Sequence, residues 1–202
     1  MLDFQDFFDA CSGVWKTERT YHYMNNGEIE RSYTEFHVNP IADAEKQKIL
    51  SLESLHLDRA QNHFFPGFSI AFDTVSEKGD RVGMSLKALF VPDAAIAKLD
   101  APDLPPPIAA QVPDVADEII QGFYLRDEGY SETGAIAGRF TYQRTRQTLE
   151  MTTHYKRSVA VDQMRFVAPD TRLRTIVTYQ RPEAGQVPSV ITLLGFGVER
   201  KS

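Results

Sequence analysis

Two arginines, Arg172 and Arg174, stand two residues apart in a run, Thr171 to Tyr179, that reads as a β-strand. Side chains alternate across a strand, so both guanidinium groups share one face, roughly 6–7 Å apart. That spacing can hold two carboxylates of one ligand, or one carboxylate and a second contact, because the guanidinium fork binds carboxylates in a bidentate manner. A second sorting occurs in residues 14–24. Trp15, Thr17, Arg19, Tyr21 and Tyr23 fall on one face, and Lys16, Glu18, Thr20 and His22 on the other. One arginine among aromatic rings suits a planar, conjugated anion, with the rings against its apolar body and Arg19 on a charge. The plainer alternatives are a stacked surface patch around Arg19 and a solvent-facing pair at Arg172 and Arg174, with Leu173, Thr175, Val177 and Tyr179 filling the core. Parity alone favours the solvent-facing pair.

Other chemistries lack their residues. There is no glycine-rich phosphate loop. Gly67-Phe68-Ser69-Ile70-Ala71 lacks the second glycine of a nucleophile elbow. His22, His37, His56, His63 and His154 show no zinc spacing, so no metal site is expected. The single cysteine, Cys11, cannot form an internal disulfide; it falls on the apolar face of a helix and reads as core rather than nucleophile.

The elements that must position these residues follow from periodicity. Leu2, Phe4, Phe7, Phe8 and Cys11 follow helical spacing, with Asp3 as cap and Gly13 as stop, which predicts a helix over about 3–12. Strands are predicted at 14–24, 28–38, 47–58, 68–75, 81–91, 118–126, 136–144, 147–157, 159–168, 171–181 and 188–200, with a short helical turn within 93–99. Asn25-Asn26-Gly27 predicts a type I′ hairpin. Five prolines between Asp100 and Pro113 exclude a central strand and predict a surface loop. Strands at this spacing imply an antiparallel sandwich or barrel, and a barrel of this strand count can enclose one small ligand.

Length and charge set the remaining bounds. A chain of 202 residues with 42% hydrophobic and 25% charged residues fits one globular domain, residues 1–202. No apolar run reaches the roughly 18 residues of a membrane span, and the acidic N-terminus lacks the basic region of a signal peptide. The net charge of −6 argues against a nucleic-acid partner. Residues 139–181 nevertheless carry nine basic side chains against three acidic ones, a local balance of +6 suited to a small anion.

Three stretches carry a resemblance to a known family. Phe7-Phe8-x-x-x-Ser12-Gly13-x-Trp15-x-x-x-Arg19-Thr20-x-His22, then Phe166-Val167-Ala168-Pro169-Asp170-Thr171-Arg172-Leu173-Arg174-Thr175, then Phe196-Gly197-Val198-Glu199-Arg200 resemble, in order and spacing, the signatures of the S-type phycobiliprotein lyases, the CpcS/CpeS family. The resemblance implies a mainly β, roughly ten-stranded antiparallel up-and-down barrel, like lipocalins and fatty-acid-binding proteins, with an N-terminal helix. It implies a lyase that binds a phycobilin non-covalently, phycocyanobilin or phycoerythrobilin, and assists its thioether attachment to a cysteine of a phycobiliprotein subunit. In this reading the bilin is a transferred substrate and no tightly bound cofactor is needed. The resemblance assigns ligand contact to Arg19, Arg172 and Arg174, with Trp15 and Tyr21 sharing the parity of Arg19. It thereby turns the arginine pair inward, against the parity preference. It assigns catalytic carboxylates to Asp162, where the family usually has Glu, and Glu199. The implied partners are the bilin, the apo-subunit and a second lyase chain, identical or paralogous; the implied setting is the cytoplasm of a cyanobacterium or a plastid stroma. A non-catalytic bilin carrier, or a lipid carrier of the same fold, is the alternative.

Overall fold

A computed structural model of the chain describes residues 1–52, 65–96, 104, 119–130 and 132–202. The chain opens with helix α1 (Phe4–Cys11), capped by the Asp3 carboxylate, which accepts from the Asp6 backbone N–H at 2.8 Å. Ten strands follow: β1 (Gly13–Tyr23), β2 (Ile29–Pro40), β3 (Gly67–Ser76), β4 (Arg81–Pro92), β5 (Ile119–Arg126), β6 (Ile136–Gln143), β7 (Thr148–His154), β8 (Ser158–Ala168), β9 (Thr171–Gln180) and β10 (Ile191–Lys201). Each pairs antiparallel with its neighbour in sequence, and β1 pairs with β10, so the sheet closes as the up-and-down barrel expected from the sequence. Closure leaves no unpaired edge.

One end of the barrel is filled by aromatic side chains. Phe7 and Phe8 of α1 project among inward-facing rings. Phe8 lies 4.5 Å from Phe90, and Phe7 lies 5.0 Å from Tyr142 and 5.2 Å from Phe166, centroid to centroid. The Tyr142 hydroxyl donates to the Leu2 carbonyl at 2.8 Å and ties the N-terminus to β6. Burial pushes that phenol up to about 12, so it stays a donor through the physiological range. Cys11 belongs to this core, as its helical position implied.

Three local expectations are corrected. Residues 47–58 were expected as a strand. Helix α2 (Asp43–Leu52) occupies their described part, and 53–58 lie outside the described residues. Ala44, Glu45, Lys46, Gln47 and Lys48 are strong helix formers, and Asp43 and Glu45 suit a helix N-terminus, so propensity wins over a short alternating run. α2 places Ile49 and Leu50 on the outside of the barrel, in a second core with Leu89, Val91, Phe123 and Leu125. Second, the β1–β2 hairpin forms at Asn25-Asn26-Gly27, but only Gly27 has positive φ, +72°; a type I′ turn needs two such residues. Third, the helical turn within 93–99 is a 3-10 turn over Asp93–Ala95 alone among the described residues. The expected loop at 100–113 lies outside the described residues except Leu104, which packs on the second core.

Candidate functional site

Above the aromatic core the barrel encloses a cavity of about 400 Å³, within the range of small-molecule sites. Strand register builds its floor. Glu199 of β10 pairs with Thr17 of β1 on one side and Arg172 of β9 on the other; two residues earlier, Gly197 pairs with Arg19 and Arg174. Alternation turns all of these toward the interior, so the Glu199 carboxylate sits between Thr17 and Arg172, and Gly197, without a side chain, sits between Arg19 and Arg174. Gly197 has to be small. A Cβ there would lie 2.9 Å from Thr17 Oγ1 and 3.0 Å from Arg19 Cγ. That space lets Arg19 lie across β10.

Glu199 is fully buried, at 0% exposure, and both its oxygens are occupied. Arg19 Nη2 donates to Oε1 at 3.0 Å; Arg172 Nε donates to Oε2 at 2.8 Å, and Arg172 Nη2 lies in ion-pair contact 2.7 Å from the same oxygen. Burial alone would push the Glu199 carboxyl up; Arg172, Arg174 and Arg19 outweigh it and hold it below the ordinary carboxylate range. Arg172 stacks on the Trp15 ring, 3.8 Å from its centroid, and the Trp15 indole N–H donates to the Cys11 carbonyl at 2.8 Å.

Arg174 donates to Asp162 of β8, two strands from β10, through Nη2 and Oδ2. The other oxygen, Asp162 Oδ1, is buried with no hydrogen-bond partner, and so are Arg174 Nε and Arg19 Nε. Burial works to lower the Arg174 pKa, but Asp162 and Glu199 raise it further, so this guanidinium keeps its charge in the interior. Three guanidiniums against two carboxylates leave the floor with one positive charge.

Of the expected site residues, Arg19, Tyr21, Asp162, Arg172 and Arg174 line the cavity together. The arginine pair therefore faces inward, as the family motif implied and parity alone did not. Trp15 and Glu199 are placed differently. Neither lines the cavity; both lie one layer below, Trp15 as the shelf under Arg172 and Glu199 as the tie between Arg172 and Arg19. Parity put Trp15 on the correct face and the resemblance singled out Glu199, but their depth along the strand takes both into the core.

The sequence reading missed the opposite wall. Arg126 of β5, 1% exposed, lines the cavity among Tyr124, Tyr130 and Tyr155, its guanidinium carbon 4.7–5.8 Å from their ring centroids. Arg126 Nη2 donates to the Tyr155 hydroxyl at 2.7 Å. Tyr124 and Arg126 share parity, which is the signal that could have found them. It was masked because the other face of β5, Phe123 and Leu125, is equally apolar.

An inward-facing, arginine-rich cavity above an aromatic plug, in a closed ten-strand barrel, is the architecture of a small-molecule-binding barrel with a cationic site. The comparisons sharpen that class. The CpeS-like protein family matches residues 3–98 and 107–201. A chromophore lyase CpcS/CpeS 1 of Synechococcus sp. (strain JA-3-3Ab) is 40% identical over 198 residues, covering 98% of this chain and 96% of that protein. A chromophore lyase CpcS/CpeS 2 of Synechocystis sp. (strain ATCC 27184 / PCC 6803 / Kazusa) is 28% identical over 177 residues, 86% of this chain and 79% of that one. The fold is similar to that of the S-type phycobiliprotein lyase CPES from Guillardia theta, with a TM-score of 0.68 at 15% identity, over 100% of this chain and 93% of that one. The chain belongs to the CpcS/CpeS family of chromophore lyases. Among the described residues, no helix is long and apolar enough to cross a membrane.

Proposed function

We propose that this lyase holds a linear tetrapyrrole, phycocyanobilin or phycoerythrobilin, non-covalently in the barrel cavity and presents it to a cysteine of a phycobiliprotein subunit, in a cyanobacterial cytoplasm or a plastid stroma. The observation that carries the reading is the floor. Arg19, Arg172 and Arg174 together exceed their two carboxylates by one charge, and Asp162 keeps one buried oxygen unpartnered. The excess charge draws a ligand carboxylate to the floor. The free Asp162 oxygen accepts pyrrole N–H groups and favours the protonated, conjugated ring system, each such charge-assisted bond contributing about 1.5–3 kcal/mol. A lipid cavity needs one anchor in an aliphatic wall; this wall carries several arginines and the rings of Tyr21, Phe36, Phe72 and Tyr124.

The attachment itself is the addition of a thiol across a double bond. The acceptor thiolate attacks the exocyclic ethylidene carbon of the bilin and a C–S bond forms. The ethylidene π pair moves into the conjugated ring system and takes up a proton there, which replaces the one the thiol lost. The nucleophile belongs to the acceptor. Cys11 is fitted to no such role, because burial pushes its thiol up and it lies in the core of α1. What this chain supplies is orientation, worth up to roughly 7–11 kcal/mol in favourable cases. Asp162 touches the ligand in this scheme, whereas Glu199 acts through Arg19 and Arg172 and is a positioning residue.

Titration with phycocyanobilin, followed by its visible absorption, tests the reading. A saturable, reversible spectral change is expected, weakened about ten- to hundredfold by Arg174→Ala. An unchanged bilin spectrum at saturating protein would overturn it.

A further inference from the structure

The wall opposite the floor holds a cation that no described residue neutralises. Arg126 has no carboxylate partner among the described residues, and its Nε is buried without a hydrogen-bond partner. Its neighbours are three phenol rings and one hydroxyl, that of Tyr155. Ring faces attract a cation but carry no charge, so they offset only part of the cost of keeping a guanidinium out of water. Arg19, Arg172 and Arg174 are all tied to acids; Arg126 differs from them in having none. β5 lies four strands from β9 around the ten-strand barrel, so Arg126 and the floor face each other across the cavity.

We propose that Arg126, held by Tyr155 and flanked by Tyr124 and Tyr130, is a second anion anchor that takes one carboxylate of a dicarboxylate ligand while the floor takes the other. This rests on the bilin reading and extends it to the far wall. The charge count supports it. One excess positive charge on the floor and one at Arg126 make two, the number of propionate carboxylates on a linear tetrapyrrole. The Tyr155 oxygen accepts from Arg126, which leaves its own proton free to donate to the same carboxylate. An anchor on each wall fixes the ligand at two separated points and so sets which ring faces the acceptor thiol.

The test compares phycocyanobilin with its dimethyl ester, which has the same rings and no propionate charge. Wild-type and Arg126→Gln proteins are titrated with both. The variant is expected to bind the free acid about ten- to hundredfold more weakly and the ester as tightly as wild type does. Wild-type ester affinity in the variant also reports an intact cavity. Equal losses for acid and ester assign Arg126 to cavity shape alone and overturn the anchor, as does no loss for either. If the Gln variant loses its near-ultraviolet circular dichroism, Arg126→Lys keeps the buried charge without the planar fork. Several-fold weaker acid binding with ester binding kept then supports the anchor, and unchanged acid binding overturns it. A wild-type protein that binds neither compound refutes the bilin reading itself, a result separate from any behaviour of the variant, and the anchor falls with it.

Discussion

Replacing Glu199 by Gln keeps the size of the buried side chain and removes its charge. In the wild type this carboxylate receives one hydrogen bond from Arg19 and one from Arg172, with a second Arg172 nitrogen in ion-pair contact, all at 2.7–3.0 Å and out of solvent. The amide oxygen of Gln can still accept, but two interior guanidiniums lose their counter-charge. Breaking a buried ion pair from one side costs about 3–5 kcal/mol, and the retained acceptor puts this case near the lower figure. For a domain of this size that lowers the melting temperature by about 6–12 °C. The pH dependence separates a lost charge from a lost shape. Glu199 is held below its ordinary range, so its ionised form contributes stability that is fully present above about pH 4–5, the unfolded-state range, and is lost as pH falls through the lower folded value. Wild type and variant are therefore expected to differ most near pH 7 and to converge in acid. Thermal unfolding followed by circular dichroism at pH 7, 4 and 3 measures both. Equal melting temperatures at pH 7, or a gap that does not narrow in acid, would refute the tie that Glu199 is held to make.

Gly197→Ala is expected to push on Arg19 and Thr17, lowering stability by about 1–3 kcal/mol in thermal melts and weakening bilin binding in the same titration used for Arg174→Ala; unchanged binding would show that Arg19 does not depend on that space. Trp15→Phe removes the indole bond to the Cys11 carbonyl and part of the shelf under Arg172, and denaturant unfolding should show a loss of about 1–3 kcal/mol. Cys11→Ser is expected to leave the yield of bilin transfer unchanged, measured as bilin fluorescence on the acceptor, because the thiol is buried and the nucleophile belongs to the acceptor; abolished transfer in a folded variant would contradict that.

Strand spacing and turn residues made an antiparallel sandwich or barrel legible, and the family resemblance chose the ten-strand up-and-down barrel between them. The floor was legible for a different reason. Strand parity placed Trp15, Arg19 and Tyr21 on one face, and the family motif decided which face of β9 turned inward. Parity carries no information about depth, so it grouped Trp15, buried in the plug, with Tyr21, which lines the cavity. It failed on β5 because α2 buries the outer face of that strand, and two apolar faces give no contrast from which to pick out Arg126. α2 itself was missed because its buried residues, Ile49 and Leu50, are adjacent rather than spaced as an amphipathic stripe.

The central claim, that this chain orients a bilin for attack by a subunit cysteine, is tested most directly by transfer. An apo-phycobiliprotein subunit is mixed with phycocyanobilin, with and without the protein, and with a paralogous lyase chain present in both arms. The adduct is then read after denaturation as covalent bilin fluorescence and by its absorption spectrum. The account expects a higher yield and a single, native-like product spectrum with the protein present, and a loss of both with Arg174→Ala. Equal yields and identical product spectra in the two arms would contradict it.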